Sequence, residues 1–141
     1  MISVRPLARL LLSSVFLLGG VDALRKPHAR AELARPVLDQ ARRVAPQLPD
    51  DDVTLVRINA AVQVGGGLLL SAGRFPRLAA LMLAGSLIPT TFGGHRFWEH
   101  SDPAARAQQR TQVAKNAAIL GGLLYVATDR PGKAPQAEPG G

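Results

Sequence analysis

The sequence predicts an all-α integral membrane protein, a four-helix bundle with an amphipathic loop helix between spans 1 and 2. Three observations predict it. Hydrophobic residues make up 47% of the chain, and they are gathered into four blocks while the charges collect in 25–52, 95–115 and the C-terminal tail. The blocks are long enough, as tilted helices, to approach a hydrocarbon thickness of about 30 Å. The second and third blocks are joined by so few residues that they must fold back on each other as an antiparallel hairpin.

The first block is "VRPLARLLLSSVFLLGGVDALRK", Val4 to Lys26, with its core from Leu7 to Leu24. Taken alone it also fits a signal peptide, with Arg5 and Arg9 before the apolar stretch and Val21-Asp22-Ala23 as a cleavage site. Three further apolar blocks favour a retained helix. Residues 25–52 carry Pro27, Pro36, Pro46 and Pro49 among mixed charges. There Leu33, Val37, Leu38, Ala41, Val44 and Ala45 keep an approximate helical spacing, which predicts a short amphipathic helix over about 29–45 lying on the membrane face. The second block, 52–74, follows the acidic run Asp50 to Asp52, whose charge suits a helix N-terminus; Arg57, Asn59 and Gln63 are its polar intruders. The third, "PRLAALMLAGSLIPTTF", starts on Pro76, which fits a first helical turn. Pro89 inside it should kink the helix and free the carbonyl of Gly85, with Thr90 and Thr91 at hand to satisfy the local backbone. The fourth, "VAKNAAILGGLLYVATD", 113–129, is the shortest, and Lys115 extends it by snorkelling. Residues 130–141 read as a disordered tail by composition.

The resulting transmembrane domain covers 4–129, with spans over about 5–24, 53–73, 76–94 and 112–129. Four spans put both termini on the same side of the membrane. Near the span ends, six Lys/Arg fall on the terminal side and nine on the loop side. The positive-inside rule then weakly places the loops inside, and a surface helix among them leaves the orientation open.

The formal net charge is +7 and the sequence pI about 11.3. Such basicity suits nucleic acid or anionic lipid. A nucleic-acid binder would pair a basic stripe with stacking aromatics, whereas this chain has only six aromatics, two of them together as Phe97-Trp98 at the end of an apolar block. The lipid bilayer is therefore the expected partner, and nucleic acid is not. With no cysteine, the chain itself can supply no disulfide, thiolate ligand or thiol nucleophile.

Up-and-down connectivity brings the polar intruders to one level on the loop side: Asp22, Arg57, Asn59, Gln63, Thr90, Thr91, His95, Glu99, Lys115 and Asn116. Asn59 and Gln63 are spaced i, i+4, and Gly66 and Gly67 continue their face, which should turn toward the bundle rather than lipid. Asp22 is the expected partner of Arg57. That pair suits a structural ion pair at least as well as a functional one. The glycines at 65–67 and 121–122 suit close helix packing, and Phe97-Trp98 suits an interfacial aromatic belt. His95 and Glu99, four apart, could ligate a metal from one helix face, but two ligands are not a site, and no metal is assigned. No catalytic residue is assigned either. Polar clusters within membranes still mark substrate or proton paths.

The chain resembles the DoxX family of small bacterial membrane proteins. The resemblance rests on the four-span plan, on Arg57 with the glycine-rich run after it, and on "GRFPRLAALML" across the 2–3 link. Its clearest stretch is "IPTTFGGHRFWEHSDPAARAQQRTQVAKNAAILGGLL", 88–124, with "HRFW", Asp102-Pro103, Gln109 and the Lys115-Asn116 opening of the fourth span. The resemblance implies residence in the bacterial inner membrane and a link to oxidoreductase assemblies handling quinone, thiol or oxidative stress. A quinone is the one cofactor it suggests, and redox enzymes are the implied protein partners. It supplies no catalytic residues to carry over. Two functions follow: a non-catalytic accessory subunit of a membrane oxidoreductase, or a small-molecule or lipid transporter or structural membrane protein.

Overall fold

The computed structural model describes residues 4–129; the predicted tail lies outside them. Five α-helices follow in order, α1 (Val4–Arg25), α2 (Pro27–Val44), α3 (Asp52–Ser71), α4 (Pro76–Gly94) and α5 (Pro103–Thr128), with a single 3₁₀ turn at Phe97–Glu99 before α5. No strand occurs among the described residues. Three stretches, Val4–Arg25, Asp52–Ser71 and Pro76–Glu99, are long and apolar enough to cross a membrane. The helix α5 differs from expectation at its start. Asp102 accepts from the Ala105 N–H at 2.9 Å and Pro103 opens the first turn, so the helix begins in the polar segment well before the apolar run at 113.

Local chemistry sets the other ends. Pro27 starts α2 immediately after α1, leaving a corner only one residue wide at Lys26. Asp51 caps α3, accepting from the N–H groups of Val53 and Thr54 and from the Thr54 hydroxyl at 3.3, 3.0 and 2.6 Å. At the far end of α3, Gly73 adopts φ +68°, and the Gly73 and Arg74 N–H groups return to the carbonyls of Leu70 and Leu69 at 3.1 and 2.9 Å. This is a Schellman closure, and it turns the chain into α4.

The Asp51 cap carries a pH signature. The Thr54 hydroxyl, the two backbone N–H groups and the nearby Arg57 charge hold its carboxyl below the ordinary range, against the opposing effect of burial. A depressed folded value contributes stability that is present above the unfolded value of about 3.9 and is lost as pH falls through the folded one. Asp51→Asn should therefore flatten the acid limb of a detergent-solubilised melting profile below about pH 4. An unchanged limb would show that the cap is not titrating there.

The core lies at the end where α1 begins and α3 finishes. Phe16, Leu70, Ala79, Ala80, Leu83 and Leu123 are buried together. Small residues let the helices approach. Gly20 of α1 faces Ala60, Gln63 and Val64 of α3, Gly67 faces Leu17, and Gly66 faces Leu83 of α4. α1 packs chiefly on α3, α3 on α4, and α4 on α5, with α1 and α5 only sparsely in contact. Outside this core, Leu7, Leu10, Leu11, Leu18, Leu68 and Leu81 are more than half exposed. An apolar band of that extent suits hydrocarbon rather than water.

α2 packs against α3 and α4, burying Pro27 and Ala31, with Ala34 close against Gly93. Its far end is fastened by Arg42, which donates to Asp52 at 2.6 Å and to the carbonyls of Pro49 and Asp50 at 3.0 and 2.9 Å. The helix is thus tied to the end of α3 from which the polar cluster is built.

Candidate functional site

α4 continues as a helix through Pro89, and the two threonines after it turn back on the helix backbone, though on the carbonyls of Ser86 and Leu87 rather than on that of Gly85, which Pro89 frees. Thr90 Oγ1 donates to the Ser86 carbonyl at 2.9 Å and Thr91 Oγ1 to that of Leu87 at 2.8 Å. Each hydroxyl is then also an acceptor. Asn59 and Gln63, one turn apart on α3, donate to Thr90 Oγ1 at 3.2 and 3.1 Å. Asn116 of α5 donates to Thr91 Oγ1 at 2.9 Å. Two adjacent hydroxyls therefore link α4 to α3 on one side and to α5 on the other. Gln63 and Asn116 are each only 6% exposed, so these bonds are made where water competes poorly.

A cleft of about 140 Å³ opens beside this cluster between α1, α2, α3 and α4. Gly19, Ala23, Leu33, Ala34, Val56 and Gly93 give it apolar walls, and Gln63, Thr90 and Arg30 give it polar groups. The Gln63 amide has two N–H donors and a carbonyl. One N–H is committed to Thr90, and the amide makes no other hydrogen bond among the described residues.

The structure corrects the expected partner of Asp22. It pairs with Arg30, at hydrogen-bond contact, and with Lys26 at 3.6 Å. The corner at Lys26 folds α2 back so that Arg30 reaches Asp22, while Arg57 is exposed on α3 and forms no ion pair among the described residues. His95 and Glu99 are corrected as well. α4 ends at Gly94, His95 leaves the helical range at φ −132°, and Glu99 sits in the 3₁₀ turn, so the two do not share a helix face. His95 Nδ1 lies 2.8 Å from Gln109 Oε1, and Glu99 pairs with Arg96 at 3.3 Å. Lys115 is exposed and donates to Gln112 at 2.6 Å. Of the ten residues expected at one level, Asn59, Gln63, Thr90, Thr91 and Asn116 are joined by hydrogen bonds. Asp22 acts on the cleft only through Arg30; Arg57, His95, Glu99 and Lys115 stand outside it.

The sequence does not single out Arg30 or Ser86, and Gln109 figures there only as part of the resemblance. Arg30 lines the cleft, and only the sharp corner at Pro27 brings it to Asp22. Gln109 holds His95 from α5. Ser86 is buried, and its hydroxyl has no hydrogen-bond partner among the described residues. It lies one turn before Thr90, a spacing visible in the sequence.

A family model described as DoxX matches residues 5–96, which is well over half of the chain. No curated protein and no solved structure matches it. The matched stretch runs from α1 to just past α4. It therefore includes the cleft and all of its lining residues, and leaves out α5 with Asn116.

Proposed function

The chain belongs to the DoxX family of membrane proteins, and on that premise we propose that it is a four-span accessory subunit of a membrane oxidoreductase system. In this reading α5 is the fourth span through its apolar half, both termini lie on one side of the bacterial inner membrane, and α2 lies at the opposite face. The subunit is not catalytic alone. It offers a quinone head a place at the cleft between α1, α2, α3 and α4.

One observation carries this reading: an apolar cleft with an amide and a guanidinium as its donors. Small-molecule sites are commonly apolar pockets with a few placed polar groups. A cavity of about 150 Å³ admits benzene, which is the scale of a single ring. Gln63 and Arg30 carry N–H donors suited to the carbonyl oxygens of a quinone, and the walls of glycine, alanine and leucine suit the rest of the ring.

The test is a gentle-detergent pull-down of the tagged chain, followed by quinone extraction and mass spectrometry of the eluate. A stoichiometric quinone together with a redox enzyme is the expected result. The quinone should be lost in Gln63→Leu and kept in Arg57→Ala, whose side chain is exposed away from the cleft. An eluate holding only bilayer lipid and the chain itself would overturn the proposal.

A further inference from the structure

At the end of the bundle remote from the cleft, three arginines converge where no function has been placed. Arg5 and Arg9 are one turn apart near the start of α1, and Arg77 is in the first turn of α4. With Tyr125 and Asp129 at the end of α5 they line a pocket of about 420 Å³. Asp129 is the one carboxylate among the lining residues, so three guanidinium charges face a single negative one. That one is weakly used. Arg5 stands 3.7 Å from its carboxylate, and Arg77 spends two donors, at 3.1 and 2.8 Å, on its backbone carbonyl instead.

Arg9 is the telling member. It is half-buried against the turn between α3 and α4, where Gly73 lacks the side chain that would collide with its guanidinium. It makes no ion pair and donates no side-chain hydrogen bond among the described residues. Holding a cation partly out of water is unfavourable unless an anion completes it. The flank of the pocket is apolar, through Val4, Ala8 and Val126. Beyond it α1 and α5 are only sparsely in contact, and on α1 the next apolar residues along, Leu7 and Leu11, are exposed.

We infer that this pocket binds the phosphate of an anionic phospholipid, with Arg5, Arg9 and Arg77 on the headgroup and the acyl chain along the α1–α5 seam. Arginine forks match phosphate geometry, and basic pockets between membrane helices select anionic headgroups. The seam distinguishes a lipid from a soluble phosphate, because only the lipid has a chain to fill it.

The experiment is native mass spectrometry of the full chain released from vesicles of equal phosphatidylglycerol and phosphatidylcholine. The wild type should retain phosphatidylglycerol preferentially. Arg5→Gln/Arg9→Gln, which keeps Arg77 on Asp129, should retain about tenfold less. Arg43→Gln/Arg106→Gln, with exposed side chains on other segments, should match the wild type. Equal retention of the two lipids by the wild type, or undiminished phosphatidylglycerol on the double variant, would overturn the proposal; the first readout needs no variant to fold. In a parallel melting assay, inorganic phosphate that protects as well as phosphatidylglycerol would also overturn it, in favour of a soluble anion.

Discussion

Gly20→Val is expected to separate α1 from α3 and to cost about 3 kcal/mol of stability in detergent. A Cβ at Gly20 would lie 2.8 Å from Val64 Cγ2, 3.0 Å from the Ala60 carbonyl oxygen and 3.1 Å from Gln63 Cβ. The first of these can rotate away. The second is backbone within α3 and can move only if the helix does. Valine adds two further methyl groups to that collision, so the helices must part. Gly121 is the control, since a Cβ there meets nothing within 4 Å. Gly121→Val should therefore leave the melting temperature nearly unchanged. Equal losses at the two positions would mean that α1 and α3 are not packed as described. Because Gly20 touches the base of the Gln63 side chain, the same substitution should also disturb the cleft. Membrane helices lack a hydrophobic force driving them together, which makes close van der Waals fit between small residues the more decisive.

The helices were legible because apolar length and proline placement are local signals. Pro27, Pro76 and Pro103 each open a helix, but only Pro76 is legible as a start from the sequence; Pro27 reads there as one of several interruptions, with the surface helix beginning at about 29. The start of α5 was misplaced because hydropathy marks where a helix becomes greasy, whereas the Asp102 cap marks where it becomes a helix. Part of the polar cluster was legible for the same local reason. Asn59 and Gln63 sit i, i+4 on one face, and Thr90 and Thr91 follow a proline. The partner of Asp22 was not legible. Depth in a membrane suggested Arg57, but side-chain direction decided for Arg30, and that direction comes from a one-residue corner between two helices. His95 and Glu99 failed similarly: their spacing has meaning only on a continuous helix, and Gly93-Gly94 end it just before them.

Thr90→Val keeps the shape of the side chain and removes the acceptor that Asn59 and Gln63 share. Gln63 is buried, so its amide would lose its partner, at a cost of about 1–3 kcal/mol. The double variant Thr90→Val/Gln63→Leu separates structural from functional roles. When both partners of a buried hydrogen bond become apolar and shapes are kept, the loss is largely recovered, so the double variant should melt closer to the wild type than Thr90→Val does. Asn59, half-buried and nearer solvent, can find water instead. The wild type, Thr90→Val and the double variant are then compared for melting in detergent and for retained quinone. A double variant that melts like the wild type yet retains no quinone places the polar pair in recognition. One that melts like the wild type and retains quinone in full makes Gln63 and Thr90 only a link between α3 and α4, and the cleft reading fails. A double variant that is no more stable than Thr90→Val would instead show that the shared hydroxyl does not govern the burial of Gln63.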